Sequence, residues 1–173
     1  MELMKERRVA LISTGGTIEK TYDALAGALT NKLSVLDLML TSLELNGLEI
    51  ARVSLMNKDS LDMTDEDHDL IAESTNIHAR LHPGVVIVHG TDRLAATGER
   101  LVERLGVPNS PIVLTGAMRP YELRSSDALQ NLTEALLAVQ ILAPGIYLAM
   151  HSQVLQFPGV VKNHARQSFE KPS

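Results

Sequence analysis

The sequence contains no cysteine and no tryptophan, and only two phenylalanines and three tyrosines stand among its 173 residues. The absence of cysteine excludes disulfides, thiolate metal sites and a cysteine nucleophile, and it is typical of proteins from a reducing compartment. So few aromatic side chains disfavour the nucleic-acid-binding folds that stack bases on aromatic rings. The buried core must instead be built from leucine, valine, isoleucine, alanine and methionine.

Positive charge is also scarce, because 16 lysines and arginines stand against 21 aspartates and glutamates and leave a net charge of −5. Such a chain lacks the basic surface that a phosphate backbone requires, so no nucleic-acid partner is expected. No apolar run reaches the roughly 18 residues of a membrane span or the roughly 7–15 residues of a signal-peptide core. The sequence therefore predicts a cytoplasmic protein with no membrane partner.

Short, wholly apolar runs alternate with amphipathic segments along the chain. Strands are predicted over residues 7–14, 48–56, 85–92, 111–117 and 145–151. Helices are predicted over residues 33–45, 65–81, 93–105 and 125–142. Thr64 is a suitable N-cap for the second helix, because three acidic residues follow it in the first turn.

The order of these elements indicates the fold. Strands that are apolar throughout are typical of a parallel sheet that is buried on both faces. We therefore predict one domain, residues 1–173, with a doubly wound, mostly parallel α/β sheet covered by helices on both faces. Segment 19–32 is interpreted as a partly mobile loop, and the polar tail after Pro158 is expected to be only partly ordered.

Polar residues follow four of the predicted strands at the point where each strand ends. These segments are residues 14–17, 57–62, 89–92 and 115–119. In open α/β sheets, ligands bind beyond the carboxyl ends of the strands, so four polar turns at one edge indicate a ligand site. The six histidines show no spacing typical of metal ligands, and no metal is expected. His68 and His78 are assigned to helix surfaces, and His89 to a buried position beside the site.

Three motifs carry a resemblance to a known family. TGGTI at 14–18, HGTD at 89–92 and GAMRP at 116–120 resemble the signature motifs of the bacterial-type L-asparaginase/glutaminase family. The resemblance runs from residue 8 to 165 and covers only the N-terminal domain of that family, so a short form without the C-terminal domain is expected. It implies that the chain hydrolyses the side-chain amide of L-asparagine to L-aspartate and ammonia, through a threonine acyl-enzyme and without a cofactor.

The resemblance also implies the catalytic residues. The nucleophile is Thr17, supported by Tyr22 from the following loop, and the second catalytic group is Thr91, Asp92 and Lys162. A threonine hydroxyl is a weak nucleophile until a neighbour takes its proton. Lys162 beside Asp92, acting through Thr91, can hold or relay that proton as histidine does in serine hydrolases.

Substrate binding is expected from backbone and side-chain groups of the same turns. The residues expected to bind substrate are Gly16, Asp59, Ser60, Gly90 and Ala117. Backbone N–H groups at residues 15–16 and 90–91 are placed to stabilise a developing oxyanion, an effect worth about 3–4 kcal/mol per donor. Asp92 is expected to pair with the α-ammonium of the small-molecule substrate, and Ser60 with its α-carboxylate.

The chain departs from the family at Leu61, where glutamine is usual after the substrate-binding serine. This change removes a hydrogen-bonding side chain near the α-carboxylate, so substrate preference can differ. One alternative is a related amidohydrolase that acts on glutamine or supplies ammonia to a transamidation complex. Another is an amino-acid-binding module without catalysis. Ammonia release from free asparagine by the purified chain distinguishes these functions.

Assembly into a homo-oligomer, a dimer or a tetramer, is also expected. Amide chemistry at strand ends requires that water be excluded, and most soluble oligomers are symmetric. A self-complementary interface is predicted from segment 116–126 and from an apolar helix face that is expected to contribute to the core as well, formed by Leu129, Leu132, Leu136 and Val139.

Overall fold

The computed structural model describes residues 7–23, 25, 27–30 and 35–173. Its strands are β1 (Arg7–Gly15), β2 (Thr21–Asp23), β3 (Ala28–Thr30), β4 (Leu48–Lys58), β5 (Val85–Val88), β6 (Pro111–Thr115), β7 (Gly145–Met150), β8 (Gln153–Gln156), β9 (Val161–Asn163) and β10 (Ser168–Glu170). Its helices are α1 (Leu36–Thr41), α2 (Asp65–Leu81), α3 (Leu94–Leu105) and α4 (Ala128–Ile141). Two 3₁₀ turns cover Thr17–Glu19 and Ser60–Asp62.

A six-stranded sheet with the order β4-β1-β5-β6-β7-β8 forms the centre of the described chain. Its first five strands are parallel, and β8 pairs antiparallel with β7 at one edge. Successive side chains of a strand point to opposite faces of a sheet. Ala10 and Ile12 accordingly pack in a core with residues of α2 and α3, whereas Val9 and Leu11 pack in a second core with residues of α1 and α4. The prediction of a mostly parallel α/β sheet with helices on both faces is confirmed.

The beginning of α2 follows its predicted capping. The Asp67 backbone N–H donates to Thr64 Oγ1 at 3.3 Å, and the Thr64 backbone N–H donates to Asp67 Oδ2 at 2.9 Å. This reciprocal pair satisfies N–H groups that have no partner within the helix. Thr64 therefore fixes where α2 starts, directly after the turn that contains Ser60.

Strand β8 was not among the predicted strands. It is joined to β7 by His151 and Ser152, which both have positive φ angles, 53° and 64°. Two residues with positive φ form the type I′ turn that suits a two-residue hairpin, but Asn and Gly are the residues that usually signal it. A histidine followed by a serine is not typical of this turn, so the hairpin was not predicted from the sequence.

The tail after Pro158 is ordered, and the prediction that it is only partly ordered is wrong. Strands β9 and β10 form an antiparallel hairpin there. Val160 and Phe169 are buried in the core that contains α2 and α3. Two buried apolar side chains are enough to anchor a short and otherwise polar segment. This hairpin carries Lys162, one of the predicted site residues.

Four further expectations need correction. The helix predicted over 125–142 begins only at Ala128, and the one predicted over 33–45 is observed as α1, with residues 31–34 outside the described part. Segment 19–32, interpreted as a loop, contains β2 and β3. On α4, three of the four side chains assigned to an interface are buried in the core: Leu132, Leu136 and Val139. A homo-oligomer stays a prediction, but its contact surface cannot be this face.

Within the residues that the structure describes, no helix is both long and apolar enough to cross a bilayer.

Candidate active site

Glycine backbones bring the first and third polar turns into direct contact. Gly15 and Gly16 have φ angles of 101° and 87°, which side-chain-bearing residues rarely adopt. A Cβ atom on Gly16 would lie 2.5 Å from both Cα and N of Gly90, and one on Gly15 would lie 2.6 Å from the backbone of Lys58. Only glycine permits this approach, so the turn before Thr17 packs against both the HGTD turn and the end of β4.

We expect Gly16→Ala to cost more stability than Gly106→Ala, and to abolish ligand binding at the site. Gly106 is the matched control because its φ angle is also positive, 61°, while nothing lies within 4 Å of an added Cβ. Both variants place a side chain at a positive φ with a ψ angle outside the αL region, which costs about 1–3 kcal/mol. Only Gly16→Ala adds a backbone collision, worth about 1–3 kcal/mol more. Urea unfolding measures the difference, and equal costs would contradict the packing described.

Ser60 joins the loop after β4 to the HGTD turn. Its side chain is only 1% exposed, and its Oγ accepts a hydrogen bond from the Arg93 backbone N–H at 3.2 Å. A Cβ atom on Gly90 would lie 2.6 Å from Ser60 Oγ, so the two turns are in contact. Gly116 completes the edge, because a Cβ there would lie 2.3 Å from the His89 carbonyl oxygen. The following residue, Ala117, is buried.

Lys162 meets Thr91 and Asp92 across about 70 positions of sequence. Its Nζ donates to Thr91 Oγ1 at 2.9 Å and to Asp92 Oδ1 at 2.6 Å. The lysine side chain is 8% exposed, whereas that of Asp92 is 37% exposed. A shielded ammonium between a hydroxyl and a carboxylate is an arrangement that can hold and pass a proton.

Thr17 opens the 3₁₀ turn that follows Gly16, and it is partly buried. Among the described residues its hydroxyl has no hydrogen-bond partner, which leaves it available to a substrate. Tyr22 lies on β2 with 61% of its surface exposed, and its backbone N–H donates to Glu122 Oε2 at 2.8 Å. No hydrogen bond joins Tyr22 to Thr17 in the described part of the chain. The supporting role of Tyr22 stays a prediction.

An ion pair that the sequence did not indicate links the Thr17 turn to the Ser60 turn. Lys20 Nζ lies 2.7 Å from Asp59 Oδ2, and Asp59 Oδ1 accepts from the Leu61 backbone N–H at 3.1 Å. The hydrogen bond from Lys20, assisted by the one from Leu61, holds the pKa of Asp59 below its ordinary value. Asp59 therefore orients the turn that contains Ser60. Lysine and aspartate are so common in sequences that the pairing of Lys20 with Asp59 could not be predicted without the structure.

The GAMRP turn is held by Asp127, the residue directly before α4. Its buried carboxylate makes no cap hydrogen bond, and accepts instead from the Met118 and Arg119 backbone N–H groups, both at 3.0 Å. It also contacts His151 Nε2 at 2.6 Å. Burial alone would raise the pKa of Asp127, but hydrogen bonds from Met118, His151 and Arg119 outweigh burial and lower it.

Three further polar side chains form a buried chain next to the HGTD turn: His89, Thr97 and His68. His89 Nδ1 lies 2.7 Å from the Gly90 carbonyl oxygen, and His89 Nε2 lies 2.7 Å from Thr97 Oγ1. His68 Nδ1 lies 2.7 Å from the same hydroxyl. The prediction that His68 lies on a helix surface is wrong, because α2 turns this side chain toward α3. The buried position predicted for His89 is confirmed.

We expect stability to fall between pH 6.5 and pH 4, because burial lowers the pKa of His89 from 6.5 to about 4. Above pH 6.5 the imidazole is neutral in both states. Below pH 6.5 the histidine is protonated in the unfolded chain but stays neutral in the folded chain until the pH approaches 4. The free energy of unfolding therefore drops by about 3 kcal/mol over this range. Urea unfolding at pH 7 and pH 4.5 measures this loss. His89→Asn, which does not titrate, should show a smaller loss, and an equal one would contradict the assignment.

No cluster of three or more histidine, aspartate or glutamate side chains suitable for a metal ion occurs among the described residues. The polar groups at this edge are instead two threonine hydroxyls, a lysine–aspartate pair, a buried serine and backbone N–H groups. Such a set can provide a nucleophile, a proton relay and hydrogen-bond donors for a small polar substrate.

Comparison with known proteins places these residues in a family context. The profile of the family described as "Asparaginase, N-terminal" matches residues 8–173. The chain is 34% identical over 160 residues to an L-asparaginase from Thermococcus kodakarensis, covering 91% of this chain and 48% of that protein. It is 34% identical over 153 residues to a glutamyl-tRNA(Gln) amidotransferase component from Methanobrevibacter smithii, covering 86% of this chain and 34% of that protein.

Solved structures agree with the sequence comparison. The fold is similar to that of the thermostable L-asparaginase from Thermococcus kodakarensis, with a TM-score of 0.84 and 30% identity, over 95% of this chain and 51% of that one. It is also similar to a probable cytoplasmic L-asparaginase from Campylobacter jejuni, with a TM-score of 0.77 and 30% identity, over 96% of this chain and 52% of that one. The chain thus spans about half the length of these relatives, or less.

Proposed function

Because this chain belongs to the asparaginase N-terminal family, we propose that it hydrolyses the side-chain amide of L-asparagine to L-aspartate and ammonia. The observation that carries the proposal is the contact of Lys162 with Thr91 and Asp92, at the edge where Gly16 holds the Thr17 turn against Gly90. Family membership supports an amidohydrolase, and this contact supplies a proton relay for one.

In the proposed reaction Thr17 Oγ1 attacks the carbon of the side-chain amide. Its proton passes through Thr91 to Lys162, which at the same time gives one of its own protons to the Asp92 carboxylate. The amide nitrogen takes a proton and leaves as ammonia, so that an ester of Thr17 remains. Water then hydrolyses the ester, which restores the hydroxyl and releases L-aspartate. Backbone N–H groups of the glycine-rich turns stabilise the oxyanion in both steps.

The proposed substrate contacts use groups that the fold leaves unpaired. Lys162 occupies Asp92 Oδ1, and the described residues offer no partner to Oδ2, which suits the α-ammonium. Ser60 accepts from Arg93 through Oγ and keeps its own hydroxyl proton for the α-carboxylate. Leu61 is 64% exposed beside it and offers no hydrogen bond. We therefore expect weak selection at the α-carboxylate.

A second candidate follows from the similarity to the glutamyl-tRNA(Gln) amidotransferase component. In that case the same threonine chemistry serves a partner protein, and the ammonia is consumed there.

Both candidate functions are proposed to operate in the cytoplasm, since the chain has no cysteine and one structural relative is described as a probable cytoplasmic enzyme.

The proposal is tested by ammonia release from L-asparagine and from L-glutamine by the purified chain. We expect release from L-asparagine to exceed release from L-glutamine, and Thr17→Ala to remove both. A chain that releases ammonia only when a partner protein is added would favour the second candidate. A folded chain that binds L-aspartate in calorimetry but hydrolyses neither amide, either alone or with a partner protein added, would overturn both proposals and leave an amino-acid-binding module.

A further inference from the structure

When both imidazoles are neutral, the hydrogen-bonded chain of His89, Thr97 and His68 has one consistent arrangement of protons. The Gly90 carbonyl can only accept, so His89 Nδ1 carries a proton and donates to it. In a neutral imidazole the other nitrogen then accepts, so the Thr97 hydroxyl donates to His89 Nε2. That hydroxyl has no second proton, and it therefore accepts from His68 Nδ1–H.

Two observations support this neutral arrangement. Burial lowers the pKa of His89 to about 4, and burial also lowers the pKa of His68, so both imidazoles are uncharged at neutral pH. His68 Nε2 lies at the other end of this hydrogen-bonded chain and is buried without a hydrogen-bond partner among the described residues. A protonated Nε2 would be a buried donor without an acceptor, which is rarer in proteins than a buried acceptor without a donor.

The hydrogen-bonded chain ends at the carbonyl oxygen of Gly90, which belongs to the peptide group that joins Gly90 to Thr91. Its carbonyl oxygen accepts from His89, while its N–H is the backbone N–H of Thr91. In the described part of the structure that N–H donates to no protein group, although it lies at the polar edge of the sheet. A hydrogen bond to the oxygen of a peptide orients the group and strengthens its N–H as a donor.

We propose that His89 is a positioning residue, which orients and polarises the Gly90–Thr91 peptide so that the Thr91 N–H stabilises the oxyanion of the substrate amide. Thr97 fixes the tautomer of His89 that this task needs. The inference rests on the proposed amide hydrolysis, and it assigns a function to three buried polar residues that the reaction does not otherwise use.

Thr97→Val tests the inference, because it keeps the volume of the side chain and removes the hydroxyl that holds His89 Nε2. We expect kcat for L-asparagine to fall about tenfold to a hundredfold with KM within twofold, since a loosened donor costs less than the full loss of one. Thr97→Ser, which retains the hydroxyl, should restore kcat to within about threefold of the unmodified chain.

Thr75→Val is the matched control. Thr75 is also a fully buried threonine of the helical layer, but its hydroxyl has no partner in the described structure. We expect its kcat to stay unchanged. An unchanged kcat in folded Thr97→Val, or the same fall in both valine variants, would overturn the inference.

A second measurement does not depend on turnover. Nitrogen-15 spectra of the imidazoles should show His89 protonated at Nδ1 in the unmodified chain, and L-aspartate should shift the Thr91 amide proton less in Thr97→Val than in the unmodified chain. A proton on His89 Nε2, or equal shifts in the two proteins, would overturn the inference. If both spectra agree with expectation and no amide is hydrolysed, the proposed function fails while the positioning of the Thr91 N–H stands.

Discussion

Thr17→Ala should lower ammonia release from L-asparagine on the order of a thousandfold or more, because it deletes the atom that forms the proposed acyl-enzyme. No other hydroxyl can replace it without moving the end of β1, where Gly15 and Gly16 are pressed against Lys58 and Gly90. Thr17 is partly buried and its hydroxyl has no partner among the described residues, so its removal should leave the fold unchanged.

Initial-rate assays at saturating substrate, together with urea unfolding, check this expectation. Thr17→Ser is the matched variant, since it keeps a hydroxyl at the same position and should retain measurable turnover. A Thr17→Ala chain that unfolds like the unmodified protein and still releases ammonia at a substantial rate would remove Thr17 from the mechanism. The proposal of a threonine acyl-enzyme would be lost with it.

Lys162→Met should depress kcat on the order of a hundredfold or more and change KM far less, because it removes the proton relay and keeps the length and bulk of the side chain. The ammonium it deletes contacts both Thr91 Oγ1 and Asp92 Oδ1. Asp92 is more than a third exposed, so water can solvate its carboxylate once the lysine is gone.

Lys171→Met provides the control for this experiment. Lys171 follows the same hairpin, is exposed, and among the described residues donates only to the Gln156 carbonyl, at 2.9 Å. It should turn over substrate at the normal rate. If Lys162→Met also shows normal kcat, the contact with Thr91 is structural, and the base for Thr17 must be sought elsewhere at the site.

Several features could be read from the sequence because they depend on neighbouring residues. The wholly apolar runs at 85–88 and 111–114 lie in strands in the structure, since a parallel sheet buried on both faces favours apolar residues throughout. The capping of α2 by Thr64 is equally local. The polar turns were expected at one edge, because the carboxyl ends of parallel strands share an edge.

Other features were decided only when distant segments met. Whether Lys162 is a surface lysine or part of the site depends on the β9–β10 hairpin, whose Phe169 is buried in a core built by residues from α2 and α3. His68 looked like a surface residue because its neighbours in α2 are charged, and only the packing of α3 buries it beside Thr97.

The division has a physical reason. Strand formation, capping and turn geometry are governed by contacts within a few residues, so a linear pattern contains them. The ion pairs between Lys162 and Asp92 and between Lys20 and Asp59 form only because packing of the whole sheet brings distant segments together. Neither partner of such a pair indicates the other in the sequence. The sequence by itself therefore determined the sheet and the edge that bears the motifs, and the tertiary structure decided which charges and imidazoles surround them.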